Sequence, residues 1–500
     1  MMDTTEDETG EETMLSLLDR LAKVVVAGSA TDLQAILDND GAALTETPDA
    51  LMRTLIPFLF TPGSEDSIVD SNTSLQVLVC LVAWKPDLYL KSASRAIKAT
   101  LRGRLQSPDA TFSISTDLLK VLIEQLVSTS DVEVSENAVE SVVVACQLSQ
   151  VSLTKLTLEL LHTSLVDTLR DLPTNRVDAS TKSVRCLSTV VQLACLGDAA
   201  TQAAAPCLDM LLQLLQDSAD PLLQMSVLDL LERLTTTETP LNAARAVWCL
   251  RNASSPLLRL AGSDGNDPDP FMGGASLRTL AAICQGTTAV KELHSEVSSL
   301  LNTFPSILKK ATFSNADERL ILIDATSSFA SISETTMDAV LQDRVLRETW
   351  LSLSSAQPPL KSAILVSISK SLTRTTTASE QQMGKTLLTA LATVNDRSDF
   401  TQVVVPLLST CPVGAYALAE AIILHLPNGP AQRLLPHMVA TILGRDPDKD
   451  IREARYSVVQ AILQSGVKDC LGDDVVKQLQ ERADNGPHYV KPVRWEVAEQ

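Results

Sequence analysis

The sequence predicts an all-α fold in which helix pairs stack side by side along one elongated, curved core. Three observations carry the prediction. First, 500 residues exceed what one compact core usually holds, since such cores stop growing at about 250–300 residues. Second, 45% of the residues are apolar but only 3% are aromatic; Leu, Ala, Val, Ser and Thr dominate, whereas sheet sandwiches and barrels lean on aromatic side chains. Third, a short polar loop containing Asp or Pro, followed by an amphipathic helix, returns roughly every 42–49 residues from position 131 onward.

Residues 1–13, MMDTTEDETGEET, are acidic and polar and lack the basic and apolar regions of a secretory leader, so a disordered tail is expected there. Helices are expected at 14–26, 31–38, 50–60, 72–84 and 115–127, a region where the repeat phase is blurred and polar breaks fall at 61–70 and 105–111. The clearest helix start is Asp220-Pro221, a polar cap followed by proline in the first turn. Behind it Leu223, Val227, Leu230, Leu231 and Leu234 share one face. Leu222, Met225 and Leu228 widen that face, which suits a helix packed between neighbours. The same pattern recurs at 128–148, 174–196, 265–285, 312–332, 354–372 and 444–463, with 206–217 and 297–311 as second helices of their pairs and a less regular loop near 400. A period of this length is that of HEAT and armadillo repeats. Residues 14–483 therefore read as a continuous HEAT/armadillo-like α-solenoid, with GSDGNDPDP at 262–270 as the segment that could interrupt it, and 484–500 as an extended C-terminal tail. A single helix pair cannot bury its own apolar faces; stacked pairs can.

The formal net charge is −20, with a pI near 4.7. No Lys/Arg cluster stands out against this acidic background, which argues against a nucleic-acid partner and favours proteins with basic faces. Nine cysteines are scattered through apolar helical positions without any C-x-x-C pair. An odd count in this arrangement implies buried free thiols in a reducing compartment; the expected location is the cytoplasm, with the nucleus as a further one. The apolar run at 413–426, VGAYALAEAIILHL, is interrupted by Glu420 and His425. A spanning helix needs roughly 18 uncharged apolar residues, so no membrane association is expected.

Catalytic and cofactor signatures do not emerge. MGKT at 383–386 resembles the end of a phosphate-binding loop, but Ser379 stands where that loop needs glycine and no strand precedes it. His162, His294, His425, His437 and His488 share no ligand spacing with one another or with cysteine, and His162 and His425 read as core-edge residues. The pairs Asp267/Asp269 and Asp446/Asp448 lie in Pro-containing loops, where capping explains them. No G-x-S-x-G elbow occurs. The expectation is a non-enzyme without cofactor or metal.

The chain ends in DNGPHYVKPVRWEVAEQ, residues 484–500. Pro487 and Pro492 disfavour helix in the residues before them, so 486–493 should be extended. This ending resembles that of the 26S proteasome non-ATPase regulatory subunit 5 family, the base-assembly chaperones. Gly486, Pro487, Tyr489, Val490, Lys491, Pro492 and Val493 fit the family's Gly-Pro-aromatic-Tyr-Val-Lys-Pro-Val segment, with His488 in place of the aromatic. The mid-chain Asp269-Pro270-Phe271 also resembles the family, as do size and helical-repeat organisation. The first 130 residues contribute no matching motif.

The resemblance implies a chaperone that binds the C-terminal domain of a proteasome regulatory-particle ATPase subunit, beside a second ATPase and a large non-ATPase base subunit, and that is a monomer outside this complex. Pro487, Tyr489 and Lys491 are the candidate contacts in the tail. The favoured role of the tail is nonetheless a cap over the last repeat, because terminal repeats must be covered. Phe271 is the further candidate, as an exposed anchor, although burial at a repeat junction is the stronger expectation for an aromatic. The alternative function is another armadillo or HEAT interaction scaffold. A transport adaptor of that kind carries ordered Trp/Asn arrays, whereas Trp84, Trp248, Trp350 and Trp495 are irregularly spaced and only Trp248 has an Asn, Asn252, four residues on.

Overall fold

The computed structural model describes residues 16, 19–24, 35–37, 39–40, 44, 48–60, 71–106, 114–149, 151–171, 176–217, 220–236, 243–262, 269–287, 291–310, 315–354, 356–373, 377–444 and 448–487. The expectations for 1–13, for the break at 61–70 and for 488–500 lie outside these residues. Among the described residues there is no β-strand. The chain divides into two compact units, Met1–Trp248 and Cys249–Gln500.

The first unit contains α1 (Pro48–Leu55), α2 (Ser71–Trp84), α3 (Pro86–Gln106), α4 (Thr116–Ser128), α5 (Val132–Leu148), α6 (Val151–Arg170), α7 (Arg176–Ala194), α8 (Asp198–Asp217), α9 (Pro221–Thr236) and α10 (Ala243–Trp248). Helices α1, α3, α5, α7 and α9 touch in succession and form one row. Helices α4, α6, α8 and α10 touch in succession and form the second. Helices of the two rows also pack on sequence neighbours across them, as α4 does on α5 and α7 on α8. This is the stacked-pair arrangement of a HEAT/armadillo-like fold.

The second unit repeats the plan with α11 (Ser254–Leu260), α12 (Pro270–Thr287), α13 (His294–Lys310), α14 (Ala316–Ala330), α15 (Glu334–Gln342), α16 (Arg344–Leu351), α17 (Pro358–Leu372), α18 (Ala378–Val394), α19 (Thr401–Thr410), α20 (Pro412–His425), α21 (Gln432–Leu443), α22 (Lys449–Gln464) and α23 (Asp473–Asn485). One row is α12, α14, α17, α20 and α22; the other is α13, α16, α18, α19, α21 and α23. The irregular loop near 400 now has a reason. It lies between α18 and α19, two successive members of the same row, so it falls inside a repeat that carries an extra helix.

Local chemistry sets the helix starts. Ser115 Oγ accepts from Leu118 N at 3.2 Å, and Asp131 Oδ1 from Glu133 N and Val134 N at 3.0 and 3.2 Å. Asp220 Oδ1 accepts from Leu222 N at 3.0 Å, which satisfies first-turn amides that have no intrahelical partner. Thr377 and Glu380 form a reciprocal capping box at the start of α18. Helix α8 begins at Asp198, upstream of the expected 206–217, and runs through Pro206. Proline removes one intrahelical hydrogen bond and is tolerated where tertiary packing compensates. Pro305, Pro406 and Pro436 likewise lie inside α13, α19 and α21, all helices of the second row.

The abundance of Ser and Thr is compatible with buried helices because their hydroxyls turn back onto the backbone. Thr189 Oγ1 donates to Arg185 O at 3.0 Å, Thr279 to Ala275 O at 3.0 Å and Thr326 to Leu322 O at 2.7 Å. These three side chains are buried and would otherwise be desolvated without a partner. Other polar groups link neighbouring repeats. Lys98 Nζ reaches Asn137 Oδ1, Ser331 meets Ser371, Asn395 Oδ1 accepts from Leu353 N, and Arg278 bonds Asp324, across sequence separations of 39, 40, 42 and 46 residues. Apolar packing supplies the bulk of the core, with Phe304 of α13 stacked on Phe329 of α14 at 4.9 Å between centroids.

Row helices approach most closely where glycine permits. A Cβ on Gly414 of α20 would lie 2.7 Å from Ser362 Cα of α17. On Gly103 of α3 it would meet nothing within 4 Å. The same substitution should thus act with opposite signs. Gly414→Ala should lower the urea midpoint, by about 1–3 kcal/mol of overpacking, while Gly103→Ala should raise it by about 0.5–1 kcal/mol of helix propensity.

Burial pushes the carboxyl of Glu420 in α20 above the ordinary carboxylate range. The folded chain then keeps a proton that the unfolded chain has already released, so stability falls as pH rises through the folded value. Glu420→Gln should therefore raise the thermal midpoint at pH 7. The gain over the parent should shrink as pH falls toward the unperturbed 4.5, which melts at stepped pH would check.

Candidate functional site

The structure places several of the candidate motifs among its helices and caps. MGKT lies inside α18, and a Cβ on Gly384 would press on Leu372 and Leu426 at 3.1–3.2 Å. A helix interior has no free amides to cradle a phosphate. His162 and His425 are half-buried, as expected of core-edge residues, and no metal-holding group of His, Cys, Asp and Glu occurs among the described residues. Asp269 Oδ1 accepts from Met272 N, and Asp448 caps α22 through Asp450 N and Ile451 N, so both are caps. Asp267 and Asp446 lie outside the described residues. Trp248 is buried, with its indole N–H toward Asp209 Oδ1 at 3.3 Å, and Trp350 is buried with its own on Ser367 Oγ at 2.9 Å. Neither indole is presented as an adaptor groove requires.

Of the sequence-predicted contacts, Phe271 is 44% exposed, which corrects the expectation of burial. It is the second residue of α12, beside the buried Met272. Pro487 is half-buried beyond α23, after Gly486 with φ +81°. Helix α23 itself continues to Asn485, two positions into the segment expected to be extended. Tyr489 and Lys491 lie outside the described residues.

Five further exposed apolar residues stand in first turns as Phe271 does, two of them Val345 of α16 and Val413 of α20. The other three, Val132, Val177 and Leu222, stand in the first turns of α5, α7 and α9, successive helices of one row, and are 59%, 81% and 80% exposed. Capping acids stand beside two of them, Asp131 and Asp220. The signal was present in the sequence as an apolar residue just behind each repeat's cap. Leu222, expected to widen the packed face of α9, is instead exposed, because an apolar first-turn residue reads as core from its hydrophobicity alone.

A second feature was missed. Lys91, Arg95, Lys98 and Arg102 recur along one face of α3. The structure sets them against Asp131, Glu133 and Glu140 of the α5 segment. Lys91 pairs with Asp131 at 2.9 Å and holds its carboxyl below the ordinary range by that hydrogen bond; Arg95 does the same for Glu133. Three carboxylates thus offset most of the charge of this four-residue stripe within the fold.

Two open clefts flank α4 and share Glu124 and Ser128. The larger, about 1000 Å³, lies between α2 and α4 over α3 and α5. Its apolar wall includes Val79, Val82, Leu90, Val121 and Val134, with Asp87, Lys91, Glu124 and Asp131 among its polar groups. The smaller, about 620 Å³, lies between α4 and α6 beside α7, with Lys120, Asp167 and Lys182 among its polar groups. Such surfaces suit binding of another polypeptide.

No protein-family model matches the chain, and no curated protein does. Among solved structures, a crystal structure of Uso1-2 matches with 11% identity over 92% of this chain and 83% of that one, at a TM-score of 0.38. Importin beta matches with 12% identity over 95% and 78%, at 0.32. The karyopherin Kap121p matches with 13% identity over 96% and 54%, at 0.38, so the chain spans about half of that protein. Identity and TM-score are low in all three, and the fold assignment rests on this chain's own helix pairing.

The exposed first-turn residues are not held there by packing. Leu222→Ser should change the unfolding free energy by less than about 0.5 kcal/mol. Leu230→Ala, buried in the same helix, should cost about 2–5 kcal/mol. Paired urea titrations compare the two.

Proposed function

We propose that the chain is a non-catalytic protein-binding scaffold, and specifically a chaperone for assembly of the proteasome regulatory-particle base. It would bind the C-terminal domain of a regulatory ATPase subunit and shield it until later assembly steps, beside a second ATPase and a large non-ATPase subunit. Gly486–Val493 is the observation that carries the specific reading, with Asp269-Pro270-Phe271 in support. The stacked rows support the general one, because they offer long faces on which an interface of at least about 1,200 Å² can form.

The last helix bears on the tail. Asp473, Asp474, Lys477, Gln478, Gln480 and Glu481 of α23 are all exposed, and Leu479 is its one fully buried residue. A terminal helix with a polar outer face already closes the stack. Tyr489 and Lys491 are proposed as contacts with a partner, with Pro487 disfavouring helix in the residue before it. Phe271, exposed at the start of α12, is proposed as a further anchor. Aromatic side chains are enriched at such contacts. The net charge of −20 favours a basic partner face. Release requires no hydrolysis by this chain, since a later assembly partner can displace it by mass action. The cytoplasm, extending to the nucleus, is the compartment that fits this role.

Affinity capture of the full chain followed by mass spectrometry tests the proposal. Proteasomal ATPase subunits should co-purify without the proteolytic core, and a Tyr489→Ala, Lys491→Glu variant should recover less of them. Recovery of no ATPase subunit and no other base component would overturn it.

A further inference from the structure

We propose that the cleft between α2 and α4 seats an amphipathic, basic helix from a partner protein. The second row of the first unit is continuous from α4 through α6 and α8 to α10, each helix touching the next. Between α2 and α4 that continuity fails: the two make no comparable contact, and the 1000 Å³ cleft opens there instead. Helices pack with axes about 8–10 Å apart and measure about 10–12 Å across. A helix laid into the gap would restore the row.

The walls fit that occupant. Val79 of α2 is 48% exposed and faces the cleft, with Val82 beside it and Val121 on the α4 side. Leu90 and Val134 contribute from α3 and α5. The lining runs from Leu78 to Ala83 of α2 and from Val121 to Ser128 of α4, so the trough is about 10 Å long. It would hold about two turns of a longer helix, with apolar side chains at i, i+3, i+4 and i+7.

The rim selects the charge. Lys91 is neutralised by Asp131 at 2.9 Å. Asp87 and Glu124 make no ion pair among the described residues, and both are exposed. Two carboxylates without cations, in a chain of net charge −20, attract a helix with Lys or Arg flanking its apolar stripe and repel an acidic one. The seat follows from the first unit alone and is independent of the chaperone reading, which rests on residues of the second.

The test uses the full chain and three fluorescent peptide amides of about 14 residues. One is a Leu/Lys helix with an apolar stripe, one has Glu in place of every Lys, and one is the Leu/Lys composition scrambled to remove the stripe. The first should bind about tenfold or more tightly than either control by fluorescence anisotropy. Val79→Arg, and separately the pair Asp87→Lys with Glu124→Lys, should weaken it by about tenfold or more, while Glu453→Lys on α22 should not. All three sites are exposed, and circular-dichroism melts would confirm that the variants fold. Four results would overturn the proposal: no binding of the striped Leu/Lys peptide, equal binding of the scrambled peptide, indifference to Val79→Arg, or a concentration-dependent dimer that Val79→Arg abolishes. The last would mean that a second copy of this chain covers the cleft.

Discussion

Everything in this fold depends on apolar burial between consecutive repeats. An isolated helix pair leaves one face of each helix without cover. Helix α20 shows the consequence most plainly. Tyr416, Leu418, Ala419, Ala421, Ile422 and Ile423 are all buried, so the helix is apolar almost all round, as a helix flanked by neighbours on several sides must be. It touches α17, α19 and α22 at once. The close approach at Gly414 and the aromatic stack of Phe304 on Phe329 serve the same end.

Polar chemistry is arranged so as not to compete with that burial. Buried Thr hydroxyls return to carbonyls of their own helix. Where a charged group enters the interior it is given several partners. Arg455 donates to Tyr416 Oη at 3.0 Å and to Gly444 O at 3.3 Å, and Arg482 donates to Leu443 O and Gly444 O at 3.4 and 3.3 Å. Both guanidiniums therefore satisfy carbonyls at the end of α21, where unpaired acceptors and the helix dipole favour cations. The α3–α5 ion pairs do the analogous work at the surface, aligning neighbouring repeats while cancelling charge. Exposed pairs of this kind add little net stability; their consequence is what they remove from the surface, a cationic stripe.

What the packing of the rows leaves exposed is the material for function. Exposed apolar residues concentrate at helix starts, in Val132, Val177, Leu222 and Phe271, and around the clefts beside α4. No described helix is long and apolar enough to cross a membrane. A surface with apolar clefts and excess negative charge is chemically matched to basic, amphipathic protein segments. The chaperone reading and the helix seat therefore point to the same class of partner from separate parts of the chain.

The sequence by itself determined the helical class, the caps and the repeat from 131 onward, whereas α3 is among none of the expected helices. Asp131, Asp220 and Asp448 were readable because capping needs only a side-chain oxygen two or three residues before a free amide. The leucine face of α9 was readable because a period of 3.6 is a local property. Tertiary structure alone decided the rest. That α19 adds an extra member to its row depends on which helices touch, and 401–410 has nothing local to distinguish it from the start of a new pair. Phe271 is exposed although Met272 beside it is buried, a difference of helix face that hydrophobicity cannot reveal. Lys91 and Asp131 stand 40 positions apart, so their pairing, and the anionic character it leaves to Asp87 and Glu124, appears only when α3 and α5 lie side by side. Periodicity is encoded residue by residue, whereas exposure and charge pairing belong to surfaces that exist only after the repeats have stacked.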